Sequence, residues 1–341
     1  MHETHFINQM YGSEGRNYEL EEKIFHMNEE EFESVALTVF REQSQQVKCY
    51  AEFIQAIGCD PYKVQQIESI PFLPVSVFKT HSVIGQRMSA EVVFESSGTT
   101  KQIPSRHLVA STNLYQRSFL TAFQQQYGAP SSYLILALLP SYLERGHSSL
   151  VYMMQELIQL SGHPKSGFFL NEYEKLAQIL KTYTGTNQKV LLIGVTYALL
   201  DFARLFPQPL QQVIVMETGG MKGRQQELTR FEVHQQLKSA FQVTHIASEY
   251  GMTELLSQAY APEEGWYRSP HWMKMLVRDE YDPFFIQRQG KGLLNIIDLA
   301  NLYSCSFLAV DDYGLVMNNG RFQVMGRSDR SELRGCSLMY I

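Results

Sequence analysis

Residues 92–101 read VVFESSGTTK, a short apolar segment followed by a loop that is rich in hydroxyl side chains. The loop consists of Ser96, Ser97, Gly98, Thr99, Thr100 and Lys101. Glycine lets the backbone come close to a ligand, hydroxyl groups add hydrogen-bond donors, and lysine supplies a mobile positive charge. A β-strand that ends in such a loop suits a polyphosphate, so the stretch predicts nucleotide binding. Taken alone, the loop has an ordinary surface turn as its alternative.

The loop matches neither of two common nucleotide-binding patterns, because it lacks the GxxxxGK[ST] spacing of a P-loop and the GxGxxG of dinucleotide-binding folds. Three further segments follow it along the chain: SEYGMTE at 248–254, VDDYG at 310–314 and GRSD at 326–329. In this order, the four segments resemble the motifs of the adenylate-forming superfamily. That superfamily comprises acyl-CoA synthetases, luciferases and the adenylation domains of peptide synthetases.

Within that superfamily, the chain is most similar to the acyl-protein synthetases, which activate fatty acids for the fatty acid reductase of bacterial luminescence. Four segments carry the similarity: KQIPSRH at 101–107, LPSYLERGHSSL at 139–150, ETGGMKG at 217–223 and RGCSL at 334–338. The resemblance runs from about Pro71 onward. It implies an enzyme that uses ATP and Mg²⁺ to convert a carboxylic acid, on this resemblance a fatty acid, into an acyl adenylate.

The resemblance also implies roles for single residues. The loop from Ser96 to Lys101 would hold the β- and γ-phosphates of ATP. The ring of Tyr250, followed by Gly251, would face the adenine, and the Thr253 hydroxyl would bind the α-phosphate. Glu254 would bind Mg²⁺, which prefers hard carboxylate oxygens alongside phosphate oxygens. The alternative for Thr253 is a helix N-cap with the helix running from Leu255 onward.

Two more elements of the nucleotide site follow from the resemblance. Asp312 would hold the ribose hydroxyls, with Asp311 as an adjacent competitor, and Arg327 would lie beside the same sugar. Gly219 and Gly220 would allow the backbone to approach the adenine, and a plain turn at the end of a strand is the alternative there.

The acid and the acyl group have one candidate residue each. His147 would line the carboxylate end of the acyl pocket, and a purely structural histidine is an even alternative. Cys336 follows Arg330 and Arg334, and neighbouring positive charge favours the thiolate form of a cysteine. The resemblance implies that Cys336 takes the acyl group as a thioester. Cys49, Cys59 and Cys305 have no such setting and are expected to be free thiols.

Length and composition exclude several classes of function. The chain has 341 residues and a formal net charge of −6, which gives no electrostatic footprint for nucleic acid. The N-terminus lacks the pattern of a signal peptide, and the longest apolar run, 134–139, is far below the roughly 18 residues of a membrane span. We therefore expect a cytoplasmic protein without stable membrane insertion. The expected partners are a carboxylic acid and an acyl-CoA or fatty-acid reductase, an acyltransferase or an acyl carrier.

Alternating strand and helix patterns predict an α/β fold with mostly parallel sheets, in the form of the large domain of adenylate-forming enzymes. The predicted organisation is a helical region at 1–90, an ATP- and acyl-binding core at 91–265, a small β-rich subdomain at 266–329 and a tail at 330–341. Because 12 residues follow Asp329, the usual mobile C-terminal domain is expected to be nearly absent. Two other functions stay open: an acyl- or aryl-CoA ligase related to phenylacetate-CoA ligases, and a non-catalytic nucleotide-binding partner subunit.

Overall fold

The structure is a computed structural model that describes residues 16–96, 103–140, 146–219 and 228–327. Its α-helices are α1 (Tyr18–His26), α2 (Phe32–Gln46), α3 (Lys48–Ala56), α4 (Thr112–Tyr127), α5 (Ser149–Ser161), α6 (Tyr173–Tyr183), α7 (Thr196–Leu205) and α8 (Arg230–Phe241). Its strands are β1 (Leu73–Pro74), β2 (Val92–Glu95), β3 (Arg106–Val109), β4 (Tyr133–Leu138), β5 (Gly167–Phe168), β6 (Lys189–Gly194), β7 (Val213–Glu217), β8 (Ala247–Tyr250), β9 (Ala259–Ala261), β10 (Met273–Arg278), β11 (Ile286–Gln287), β12 (Gly290–Asp298), β13 (Phe307–Val316) and β14 (Phe322–Arg327).

A mostly parallel sheet forms the centre of the molecule. Its strand order is β5-β4-β6-β7-β8-β9, and all neighbours are parallel except β8 and β9. This confirms the α/β architecture that the alternating pattern predicted. Because the strands run in the same direction, the carboxyl ends of β6, β7 and β8 meet at one edge of the sheet. Ligands of open α/β sheets bind at that edge.

Helices cover both faces of the parallel sheet, which is the usual arrangement for parallel strands. Leu134, Leu136 and Leu138 of β4 pack with α6, α7 and α8. Ile135 and Ala137 belong to the other core, which includes residues of α4 and α5. All six residues of β4 are buried, because side chains alternate between two covered faces.

A second sheet is built mainly from antiparallel strands. Its order is β1-β13-β12-β10-β11, with β14 paired to β13, and β1 is the strand that runs parallel to its neighbour. Asn318, Asn319 and Gly320 form the hairpin turn between β13 and β14, where the N–H of Met317 donates to the carbonyl of Arg321 at 2.8 Å. Gly320 has φ +74°, a left-handed conformation that favours glycine.

The strand that precedes the hydroxyl-rich loop lies outside the parallel sheet. The sequence predicts a strand at 92–94, and β2 confirms it. Among the described residues, however, β2 pairs with β3 alone, in an antiparallel hairpin. This strand therefore belongs to a two-stranded hairpin beside the parallel sheet.

The N-terminal helices pack against the second sheet. The rings of Phe40 and Tyr50 lie 5.8 and 6.2 Å from the ring of Phe307 on β13. The amide of Gln43 donates to the carbonyls of Asn301 and Leu302 and accepts from the N–H of Ser306. Among the described residues, no helix is long and apolar enough to cross a membrane.

Candidate functional site

Most of the described candidate residues lie around the carboxyl edge of the parallel sheet. Gly219 follows β7, Tyr250 ends β8, and the loop 251–258 carries Thr253 and Glu254. The hairpin of β13 and β14 brings Asp312 and Arg327 to the same place. Segments that are far apart in the sequence therefore form one site.

Asp312 lies at the centre of a hydrogen-bonded group. The hydroxyl of Tyr250 donates to its Oδ2 at 2.7 Å, and Nε of Arg327 donates to its Oδ1 at 3.3 Å. The β13–β14 register places Asp312 directly opposite Arg327. Burial and the neighbouring Asp312 raise the pKa of Tyr250 well above its usual value, so its hydroxyl stays protonated and can donate.

The two adjacent aspartates differ in exposure. Successive residues of a strand point to opposite faces, so Asp312 is buried while Asp311 is exposed to solvent. Asp312 is only 7% exposed. The structure thus brings Asp312 together with Tyr250 and Arg327, and turns Asp311 away from them.

The ring of Tyr250 is enclosed by other aromatic rings. The centroids of Tyr267 and Phe322 lie 5.9 and 5.8 Å from it. The side chain is buried, with its hydroxyl engaged by Asp312. Stacking of this ring on an adenine stays a prediction.

The loop after β8 is held through its backbone. Nδ1 of His107 lies 2.7 Å from the carbonyl oxygen of Thr253, and the amide Nδ2 of Asn301 donates to the carbonyl of Glu254 at 2.7 Å. Nε2 of His107 lies 3.1 Å from Oδ1 of Asn301. Burial lowers the pKa of His107 to about 4, although both hydrogen bonds oppose this. These contacts place Thr253 and Glu254 at the site without using their side chains.

Asp298, the last residue of β12, anchors the following part of the loop. Its carboxylate accepts the N–H groups of Leu256 and Ser257 at 2.8 and 3.0 Å, and the Ser257 hydroxyl at 2.5 Å. Burial raises the pKa of Asp298 to about 6, against these hydrogen bonds. Residues 251–258, all described, form turns and extended chain in place of a helix. The N-cap alternative for Thr253 is therefore wrong, because Asp298 takes the amide groups that a helix would use.

Glu254 is the candidate ligand for Mg²⁺, and its side chain is buried. Within the described ranges, no group of three or more histidine, cysteine, aspartate or glutamate side chains could hold a metal ion. A single carboxylate nevertheless fits Mg²⁺, which usually takes one or two protein carboxylates and completes its shell with phosphate oxygens and water.

Gly219 forms a tight turn after β7. It has φ +58°, its N–H donates to Oε2 of Glu217 at 3.0 Å, and its carbonyl accepts the N–H of Thr196 at 2.9 Å. A Cβ added at Gly219 would meet no atom of the described residues within 4 Å, while its positive φ is the conformation that favours glycine. A turn at the end of β7 is thus present at Gly219, and the approach of this backbone to an adenine stays a prediction. Gly220 lies outside the described residues.

Glu217 holds this turn as an ion. Burial opposes its ionisation, but hydrogen bonding to His234 and the charge of Arg230 outweigh burial and lower the pKa of Glu217 to about 2. Nε of Arg230 lies 3.5 Å from its Oε1, and the hydroxyl of Thr196 donates to its Oε2 at 3.0 Å.

The hairpin of β2 and β3 carries the start of the hydroxyl-rich loop. The N–H of Ser105 donates to the hydroxyl of Ser96 at 2.9 Å, which closes the base of the hairpin. Ser97, Gly98, Thr99, Thr100 and Lys101 lie outside the described residues, as does Cys336. His107 of β3 contacts the Thr253 carbonyl, so the hairpin is fixed against the loop that contains Glu254.

His147 lies beside the same hairpin. Its carbonyl accepts the N–H of Glu95 at 2.7 Å, and its side chain is exposed. Ser148 caps α5 by accepting the N–H of Val151. The place of the His147 side chain in an acyl pocket stays a prediction.

Sequence reasoning missed four residues that position the site: His107, Glu217, Asp298 and Asn301. His107 and Glu217 fall within segments that carry the resemblance, but their contacts lie 146 residues away for the Thr253 carbonyl and 21 residues away for Thr196. A polar residue inside or next to a motif indicates that it could hold the site in place. The sequence does not show which distant residue it would bind.

No family model and no curated protein matches this chain. Among solved structures, the chain is similar to ATP-bound MatB from Rhodopseudomonas palustris, with 15% identity, a TM-score of 0.51, and coverage of 69% of this chain and 47% of that chain. The ATP-bound RpMatB-BxBclM chimera B3 also has a TM-score of 0.51, with 13% identity and the same coverage of both chains. A luciferase-like enzyme from the mealworm Zophobas morio has 14% identity and a TM-score of 0.47, over 79% of this chain and 61% of that chain.

The chain spans about half the length of the MatB structures that it matches. At these identities, the similarity concerns the fold. The described part of the chain is an α/β fold that resembles the MatB structures over 69% of this chain.

Proposed function

We propose that this protein activates a carboxylic acid with ATP to form an acyl adenylate and pyrophosphate. The observation that carries the proposal is the hydrogen-bonded group of Tyr250, Asp312 and Arg327 at the carboxyl edge of the parallel sheet. The turn at Gly219 and the anchored loop with Thr253 and Glu254 lie at the same edge. The fold is shared with a structure of MatB that contains ATP.

In the proposed reaction, a carboxylate oxygen of the acid attacks the α-phosphorus of ATP. The bond from that phosphorus to the bridging oxygen breaks, and pyrophosphate leaves with the electron pair. Positioning and electrostatics supply most of the catalysis in reactions of this kind. Asp312 would accept the ribose hydroxyls, the Thr253 hydroxyl would donate to the α-phosphate, and Lys101 would contact the outer phosphates. Glu254 would hold Mg²⁺, which neutralises phosphate charge when bound.

The second half of the proposal is transfer of the acyl group to a protein thiol. The thiolate sulfur attacks the carbonyl carbon, the bond to the AMP oxygen breaks, and a thioester and AMP result. Burial raises the pKa of Cys49, Cys59 and Cys305, which makes them poor nucleophiles near neutral pH. Cys336 follows Arg334 in the sequence and is the remaining candidate. A fatty acid as substrate, and a reductase, acyltransferase or acyl carrier as partner, belong to the same proposal.

The test is acid-dependent ATP–pyrophosphate exchange over a panel of carboxylic acids. We expect exchange with the wild type, and its loss in Glu254→Gln, since the amide removes the carboxylate charge. The matched control is Glu30→Gln, which makes the same change at an exposed position near the N-terminus. It should retain exchange. Absence of exchange with every acid, together with no stabilisation by ATP and Mg²⁺, would contradict the proposal and favour another function.

The acceptor is tested separately, because only the transfer step needs a nucleophile. Cys336→Ser should keep acyl-AMP formation and lose hydroxylamine-sensitive labelling by a radioactive fatty acid with ATP. Labelling that persists in this variant would exclude Cys336. Rapid thioester formation with added coenzyme A would favour the acyl- or aryl-CoA ligase, while ATP binding without pyrophosphate release would favour a non-catalytic nucleotide-binding subunit.

A further inference from the structure

A buried carboxyl group lies one residue before Tyr250, on the opposite face of β8. Oγ of Ser248 lies 3.4 Å from Nε2 of His234 on α8, so Glu249 points to the face that α4 covers. Consistent with this, the charge of Glu249 contributes to raising the pKa of Tyr115 and Tyr127 on α4 and of Tyr260 on β9. The Glu249 side chain is therefore part of a polar cluster inside the molecule.

Glu249 has little compensation for its burial. The hydroxyl of Thr218 donates to Oε2, which opposes the effect of burial, but burial and the nearby charge of Glu217 raise the pKa of Glu249 to about 7. Among the described residues, no cation lies within ion-pair distance of Glu249. Buried carboxyl groups in folded proteins are ordinarily paired or fully hydrogen-bonded, so this one is an exception.

Two other buried groups near Glu249 have no hydrogen-bond partner among the described residues. They are Oε1 of Gln258 and the hydroxyl of Tyr260, in side chains that are each 3% exposed. Gln258 and Glu249 both flank Gly251: a Cβ added there would lie 2.5 Å from Oε1 of Glu249 and 3.4 Å from Cγ of Gln258. Buried unpaired polar groups destabilise a protein, so their clustering calls for a ligand or another explanation.

The cluster adjoins the candidate nucleotide site. Thr218, which donates to Glu249, is next to Gly219, and Glu249 is next to Tyr250. The side chain of Tyr250 donates a hydrogen bond to Asp312, while that of Glu249 lies on the other face of the same strand. The turn after β7 and the 251–258 loop therefore carry residues of both groups.

We propose that Glu249, Gln258 and Tyr260 form a subsite that binds a hydrogen-bond donor on the acid substrate. The inference rests on the proposed function and adds the class of substrate: a carboxylic acid that carries a hydroxyl or amino group, in place of an unsubstituted hydrocarbon chain. The glutamine oxygen is an acceptor, and an ionised glutamate also only accepts, so the complementary group on the ligand is a donor. A site built to hydrogen-bond a substrate hydroxyl or amine discriminates strongly against the analogue that lacks it.

The experiment compares octanoic acid with octanoic acids that carry a hydroxyl or an amino group at carbon 2, 3 or 8. We expect at least one substituted acid to exceed octanoate by tenfold or more in kcat/KM for pyrophosphate exchange. Glu249→Leu should remove that preference, so that the ratio of the two kcat/KM values falls toward one, and Asp311→Asn, at the exposed neighbour of Asp312, is the control that should keep the preference. A wild-type preference for octanoate, or an unchanged ratio in Glu249→Leu, would overturn the subsite.

Glu249→Gln keeps the shape of the side chain and covers the case in which the leucine variant does not fold. Glu249→Gln should weaken the binding of an amino-substituted acid more than that of a hydroxyl-substituted acid, because only the ammonium group needs the negative charge. The change in melting temperature with each of the same acids measures binding independently of the reaction. A shift by a substituted acid in the wild type and not in Glu249→Leu, with no exchange by any acid, would refute adenylation and keep the subsite. No shift and no exchange by any acid would refute both.

Discussion

The group formed by Tyr250, Asp312 and Arg327 supports a quantitative prediction for Asp312→Ala. The hydrogen bond from the buried Tyr250 hydroxyl to the carboxylate is charge-assisted, and such bonds contribute about 1.5–3 kcal/mol. The Arg327 side chain is 51% exposed, so its ion pair adds less than about 1 kcal/mol. We therefore expect the variant to lose about 2–3 kcal/mol of unfolding free energy in the absence of any nucleotide.

The matched control is Asp311→Ala, which removes the same charge one residue away at an exposed position. Exposed substitutions of this kind usually stay within about 0.5 kcal/mol of the wild type. With an unfolding entropy of about 2.1 cal/mol/K per residue, each kcal/mol corresponds to roughly 1.4 °C in the melting temperature of this chain. Differential scanning calorimetry should give a drop of about 3–4 °C for Asp312→Ala and less than about 1 °C for Asp311→Ala.

A double-mutant cycle with Tyr250→Phe separates the hydrogen bond from other effects. Each single variant already breaks the same hydrogen bond. The sum of the two single losses of unfolding free energy should therefore exceed the loss in the double variant by about 1.5 kcal/mol or more. Losses that add to within about 0.5 kcal/mol would refute the bond as the source of the effect.

The same variants test the proposed ribose contact. Asp312→Ala should weaken ATP binding tenfold or more in calorimetric titrations, while Asp311→Ala should leave it unchanged. Equal weakening by both variants would remove the basis for choosing Asp312 over Asp311.

Two further predictions concern the groups around the 251–258 loop. His107→Leu should lower the rate of pyrophosphate exchange more than it lowers ATP affinity, because the loop carbonyl of Thr253 loses the ring nitrogen 2.7 Å away while the Asp312 group stays intact. Equal losses in both measurements would contradict this. Glu249→Gln should flatten the pH dependence of stability. The folded pKa of about 7 lies above the ordinary 4.5, so the wild type loses stability as pH rises through this window, by at most about 3 kcal/mol, and urea unfolding at pH 5 and pH 8 should show a smaller difference in the variant.

The parallel sheet and its helices could be predicted from the sequence because the apolar patterns of strands and of helices each lie within a short segment. The apolar run 134–139 is buried throughout, as a strand covered on both faces should be. The segment that became β10 was missed, because it ends in Arg278 and contains Lys274. Arg278 is buried by donating to the carbonyls of Leu294 and Val310, and such a role leaves no trace in a hydrophobicity pattern.

For the site, adjacent residues were predictable and distant partners were not. The motif that contains Tyr250 and Glu254 is continuous in the sequence, so its position at a strand end could be expected. The contact of His107 with the Thr253 carbonyl joins residues 146 positions apart, and only the fold brings them together. The N-cap alternative failed for the same reason: Asp298, more than 40 residues later, binds the amide groups after Glu254.

Glu217 and Glu249 are two carboxyl groups at the edge of the parallel sheet whose different surroundings give them different roles. Glu217 accepts from Thr196 and from the N–H of Gly219 and faces Arg230 and His234, which keeps it ionised and bound to the turn. Its fixed charge in turn helps to raise the pKa of Glu249, which has one donor, Thr218, among the described residues. Environments that push two such pKa values apart assign different tasks to chemically equal groups. Glu217 is committed to holding the backbone, so Glu249 is the carboxyl of this pair that can take up a new partner.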